Sequence, residues 1–121
     1  MPFAGLIGIE FLAVDPAEVR ARLGWSPDRC TVAGVMHGGA LMALADACGA
    51  VAAFVNLPEG AVGTTTLTSA TNFLAAVRDG HANAASTILH RGRTTIVVET
   101  VISDDNGRTV AKITQTQAVL S

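Results

Sequence analysis

The chain has 121 residues, eight basic against ten acidic side chains for a formal net charge of −2, and a composition that is half hydrophobic with four Phe and no Tyr. That length accommodates one domain able to bury its own core, while the sparse charge without any Lys/Arg run excludes an electrostatic footprint for nucleic acid. Cys30 and Cys48 have no metal-ligand spacing, and Met1-Pro2-Phe3-Ala4 puts no basic region ahead of a long apolar run, so the reading is a reduced, cytoplasmic protein.

Ile7 to Val14 reads as a strand, Asp15-Pro16 as a turn, and Glu18 to Leu23 as a second strand by its polar–apolar alternation, together making a hairpin. Gly24 to Gly34 reads as a loop. A long helix then follows His37-Gly38-Gly39 and runs to about Leu57, where Pro58-Glu59-Gly60 stops it. Its apolar stretch approaches membrane-span length, but Asp46 lies at the centre, glycines interrupt it and basic anchors are missing, which favours a soluble buried helix. After it the period changes. Thr64 to Leu74, His81 to His90, Thr94 to Ser103 and Thr109 to Leu120 are rich in β-branched residues and read as strands. Arg78-Asp79-Gly80, Arg91-Gly92-Arg93 and Asp104-Asp105-Asn106-Gly107 break them, the last being an Asn-Gly hairpin signal of the type I′ kind. Two strands, one helix and four strands describe an α+β fold, an antiparallel sheet curled around one buried helix.

Asp46 is the one acid in a helix apolar on every side. Such a helix is a buried one, and an unpaired carboxylate inside it costs several kcal/mol. An internal hydrogen bond or a partner across a subunit contact would account for it. The residues ahead of it add a second possibility, because His37-Gly38-Gly39 forms a flexible turn at a helix start, where free N–H groups can hold an oxyanion. An acid and an oxyanion hole make the parts of a hydrolase.

With this order of elements, His37-Gly38-Gly39, Asp46 and the aromatic-Leu ending of Asn72-Phe73-Leu74, the chain resembles the hotdog-fold acyl-CoA thioesterases. The branch it resembles includes the phenylacetate-pathway and 4-hydroxybenzoyl-CoA thioesterases. The resemblance covers nearly the whole chain and implies one hotdog domain over residues 1–121. It implies that the Gly38 N–H polarises the thioester carbonyl, that Asp46 attacks it or activates water, and that His37 helps fix the loop. A hydroxyl that assists the acid falls at Thr66, with Thr68 the neighbouring choice, and Gly39 adjoins the substrate. Two positions depart from the family pattern: Thr31 stands where Asn or Gln is common six residues before the histidine, and the proline usual near Ala75-Ala76 is missing. No cofactor and no metal is implied.

Nine residues separate His37 from Asp46, which on one helix is about 13 Å along the axis and roughly 180° around it. They cannot share one site within one subunit. If they cooperate, the acid meets the glycine of another subunit and the protein is an obligate homo-oligomer with two sites at each dimer interface; the resemblance implies a dimer as the catalytic unit, assembled into a tetramer.

Arg91, Arg93 and Arg78 stand at strand ends, where they are either solvated turn residues or contacts for coenzyme A phosphates. His81 and His90 read as strand-end surface residues rather than ligands. Trp25 and Met36 read as core or pocket lining, Cys48 as a small core hydrophobe, and Cys30 is undecided. Two rival functions share the fold: a hotdog dehydratase or hydratase, which pairs a helix Asp with a nearby His, and a non-catalytic acyl-CoA binding subunit, favoured by Thr31. The acyl group itself is not legible.

Overall fold

β-branched strands and short turns build a single antiparallel sheet. The computed structural model describes residues 1–121, with strands β1 (Glu10–Val14), β2 (Val19–Gly24), β3 (Gly63–Phe73), β4 (His81–Arg91), β5 (Thr95–Ser103) and β6 (Thr109–Leu120) in the spatial order β1-β2-β4-β5-β6-β3. Helix α2 (Gly38–Phe54) lies on one face and touches all six strands, so the sheet curls around it. Bulges bend the sheet at Leu12, Leu67 and Leu89, and each leaves its leucine exposed.

Alternation decides which residues meet the helix. Ile96, Val98, Thr100 and Ile102 of β5 and Ile113, Gln115 and Gln117 of β6 are buried against α2, while the residues between them face outward. Leu41, Leu44, Ala45, Cys48, Ala52 and Ala53 form the helix side of that core. Its small residues let helix and sheet approach closely. Cys48 donates its thiol to the Val19 carbonyl at 3.3 Å, and burial pushes its pKa up.

Four local expectations need correcting. Residues Pro2–Ile7 form a short helix, α1, started by Pro2 and stopped by Gly8 at φ 91°, so the first strand begins at Glu10 rather than Ile7. Within Gly24–Gly34 the chain makes two single 3₁₀ turns rather than plain loop. Helix α2 ends at Phe54, three residues early, where the Asn56 side chain and Arg91 take over the terminal carbonyls: Asn56 Nδ2 donates to Ala52 O, and Arg91 donates to Asn56 O and Leu57 O. In the β5–β6 hairpin Gly107 has positive φ but Asn106 does not, so the turn is not type I′. Asp104 pairs with Arg108 around a three-residue loop, and its Oδ1 accepts the Asn106 and Arg108 N–H groups.

Candidate active site

The start of α2 can be accounted for donor by donor. A helix leaves its first four N–H groups without intrahelical partners. His37, the N-cap, satisfies two, its Nδ1 accepting from Gly39 N at 2.7 Å and its carbonyl from Ala40 N at 2.9 Å, and its own N–H donates to Arg29 O at 2.8 Å; the first helical bond, Leu41 N to the same carbonyl, follows at 3.2 Å. The Gly38 N–H alone has no partner. Because Nδ1 accepts from the Gly39 N–H, the ring proton belongs on Nε2. Gly39 is thereby removed from the expected substrate donors: the imidazole that caps it takes its N–H.

Both glycines lie against close side-chain neighbours. A Cβ on Gly38 would stand 3.1 Å from the Phe73 ring, and one on Gly39 would stand 2.9 Å from His37 Nδ1. The approach to them is a ribbon in which Thr31 N donates to Val35 O and His37 N to Arg29 O, closed at its tip by Ala33 at φ 62° and Gly34 at φ 70°. Trp25 clamps this tip through its indole N–H to Gly34 O at 2.9 Å. Arg29 ties the base of the ribbon to α1 through Nε to Ile7 O at 2.7 Å. Thr31, Met36, Gly38 and Phe73 line one cleft, so the threonine expected near the donor does border it.

Two turns further along α2, the acid is arranged differently from the expectation. Asp46 is exposed in the single chain, and it is not alone: its Oδ1 accepts from Gln115 Nε2 at 2.9 Å and from the Thr66 hydroxyl at 3.5 Å. Thr66 in turn accepts from Gln117 Nε2 at 2.8 Å. Oδ2 has no partner within the chain. The helix is apolar all round, yet the sheet covers only one side of it, leaving Met42, Asp46 and Phe54 open. The bulge at Leu67 decides between the two threonines: Thr66 pairs with Gln117 on the helix face, while Thr68 pairs with Thr116 on the opposite face. Thr68 is therefore turned away from the acid.

Gly38 and Asp46 are eight residues apart on one straight element, about 12 Å along its axis. One chain cannot bring the free N–H and the free carboxylate oxygen to one carbonyl.

Residues 33–111 match the family model described as the Thioesterase superfamily. The chain belongs to that superfamily. Rv1847 of Mycobacterium tuberculosis, an esterase by name, is 30% identical over 93% of this chain and 81% of its own. Its solved structure superposes with a TM-score of 0.95 at 28% identity, covering all of this chain and 98% of that one. Thioesterase HI1161 of Haemophilus influenzae gives 0.92 at 27% identity over 98% of this chain and 82% of its own. A variant of thioesterase PA1618 from Pseudomonas aeruginosa gives 0.91 at 29% over 98% and 85%. The antiparallel six-stranded sheet around a long helix is thus the hotdog fold of thioesterases, and the superfamily's chemistry is thioester hydrolysis.

The remaining residues divide by position in this thioesterase fold. Arg91 is engaged just past the far end of α2, with Nε to Asn56 O at 2.6 Å and Nη2 to Leu57 O at 3.1 Å, so two of its guanidinium nitrogens anchor the chain there. Arg93 borders a separate cleft with Pro58, Gly60 and Ser121, also at that end. Arg78 follows Val77, whose carbonyl holds Met36 N, and so stands at the Gly38 end. His81 Nδ1 lies 3.1 Å from Asp105 Oδ2; the Asn83 side-chain donor and His81 hold that carboxyl below its ordinary range. His90 pairs with Val97 in the sheet, and its ring stands beside Gly92.

Sequence reasoning missed Gln115, Gln117 and Phe3. The glutamines had a signal: in the register of Ala111, Ile113 and Val119 two amides, Gln115 and Gln117, stand among aliphatic residues. Phe3 had none. It lines an apolar cleft of about 170 Å³ between α1 and α2 that ends on Asp46, and a neighbouring one of about 370 Å³ that reaches His37.

Proposed function

We propose that the protein hydrolyses acyl-CoA thioesters in a homodimer whose two sites each combine the Gly38 N–H of one subunit with Asp46 of the other. The single observation that carries this reading is the free donor and the free carboxylate oxygen held about 12 Å apart on one helix. The thioester oxygen accepts from Gly38 as charge develops on it, helped by the positive end of α2. Asp46, as base or nucleophile through Oδ2, delivers the attack. The carbon–sulfur bond breaks, water supplies the hydroxyl and a proton, and free acid and coenzyme A leave. The apolar cleft beside Asp46 receives the acyl group, and Arg78 at the Gly38 end is a cation within reach of the entering nucleotide.

A two-fold partner has a ready surface. β3 is an eleven-residue sheet edge without a single charge, the kind of edge that pairs with another strand, and the open face of α2 with Met42 and Phe54 would be covered in the same assembly.

Complementation tests the reading. Gly38→Pro removes the donor at the first helical position, where proline fits, and His37 at φ −61°, ψ 134° already has the extended backbone that precedes proline. Asp46→Asn removes the charge. Thiol release from a panel of acyl-CoAs should be near zero for each variant alone. Co-expressed at equal levels, half the dimers are mixed and one of their two sites is intact, so roughly a quarter of wild-type activity should return. Folded heterodimers that stay at the parental floor overturn the shared site. Double-bond absorbance without thiol would indicate a dehydratase, and neither signal from the wild type a binding subunit.

A further inference from the structure

We infer that Gln115 is the positioning residue for the Asp46 carboxylate and that residue 49 is glycine in order to admit it; the kinetic part rests on the thioester-hydrolysis reading above. Gln115 is fully buried on the inward face of β6, where Ile113 two residues earlier shows that an aliphatic side chain suits the register. A buried amide is costly unless its hydrogen bonds are made. The only hydrogen bond of this side chain is Nε2 to Asp46 Oδ1, at 2.9 Å, and its Oε1 is buried with no partner. An amide kept at that cost for one bond to one carboxylate is placed for the carboxylate.

Gly49 supplies the second observation. It sits in the buried middle of α2 with ordinary helical backbone, where glycine is worse than alanine by about 1 kcal/mol. A Cβ there would fall directly on Gln115 Oε1 and stand 3.1 Å from its Cδ. The Thr100 hydroxyl, at 3.5 Å, is in ordinary contact and imposes no such demand. The carbonyl end of the amide therefore occupies the space a methyl would fill. With Oε1 lodged over Gly49, the NH₂ end is aimed at Asp46. Gln117 does the same for Thr66, whose hydroxyl accepts from Nε2 and so directs its own proton to Oδ1. Both internal donors converge on Oδ1, which leaves Oδ2 as the reacting oxygen.

A double-mutant cycle decides the matter. Gln115→Ala should lower kcat about tenfold or more, the scale of one hydrogen bond to a charged group, with KM within twofold. Gly49→Ala should do the same by displacing the amide. In the Gln115→Ala background, Gly49→Ala should cost no further kcat, because the side chain it collides with is gone. Multiplicative losses, or a Gln115→Ala enzyme with unchanged kcat, overturn the proposal. Gln115→Met keeps the volume without the donor, and should lose kcat equally; full activity there overturns it too. A crystal structure of Gly49→Ala needs no turnover: Gln115 should have left Asp46, and a retained bond near 2.9 Å sinks the role given to Gly49. A wild type inert toward every thioester would defeat the activity reading while the crystal structure still tests the positioning.

Discussion

The two halves of the candidate site stand on one helix but are built by different means. At its N-terminus, the donor is a backbone group set by local capping: His37, through its ring and its carbonyl, takes the N–H groups of Gly39, Ala40 and Leu41 and leaves the Gly38 donor free. Two turns on, the acid half is side chain throughout, with Asp46 held by Thr66 and Gln115, which are 20 and 69 residues away along the chain. A backbone donor is fixed once the helix forms. A side-chain carboxylate needs the sheet in register, since a slip of one residue on β3 would turn Thr66 to the outer face.

The contrast breaks first at the acid. Asp46→Asn keeps the shape and can still accept from Gln115, so the fold and melting temperature should hold while kcat falls by about 10²–10⁴, the range of general base catalysis; a folded variant with near wild-type thiol release would reduce Asp46 to a structural hydrogen-bond partner. A smaller effect should separate the two threonines. Thr66→Val removes the hydroxyl between Gln117 and Asp46 and should lower kcat about three- to tenfold, in keeping with a long bond of 3.5 Å. Thr68→Val, on the far face, should leave kcat unchanged; equal losses in both would mean that the bulge at Leu67 does not sort them. The smallest effect belongs to the donor half. Ala33 holds a left-handed conformation that Asn tolerates better. Ala33→Asn should raise the melting temperature by about 2 °C with unchanged kcat, and a lower melting temperature would show that the ribbon tip is not strained.

The same division governs what could be read in advance. The donor half was legible because His37, Gly38, Gly39 and the helix they open are contiguous, and capping is a local matter. Even so, the motif alone could not tell which N–H stays free, because that depends on which ring nitrogen of His37 reaches Gly39. On the acid side, the isolated charge of Asp46 was conspicuous, but its partners were not. Gln115 and Gln117 went unread, since their place in β6 says nothing of what they meet, and no pattern in Thr64–Thr68 announced the bulge that turns Thr66 in and Thr68 out. Arg91 looked like Arg93 in sequence, yet it donates to the Leu57 and Asn56 carbonyls just past α2, 34 and 35 residues away in the chain.

By itself, the sequence determined the kind of each element, through local periodicity and turn chemistry: the first hairpin, one long apolar helix and four β-branched strands, with boundaries mostly within a few residues. It left residues 2–6 unread and gave Ile7 to the first strand, because the helix there is too short to show a period. What only the tertiary structure decided was how the elements face one another. The sheet covers one side of α2 and leaves Asp46 on the open side, and the vacancy at Gly49 is filled by an amide from β6. Local rules carry over a few residues, because they rest on backbone geometry and nearest neighbours; contacts across 20 to 69 residues rest on register and close packing, which exist only once the whole sheet has closed around the helix.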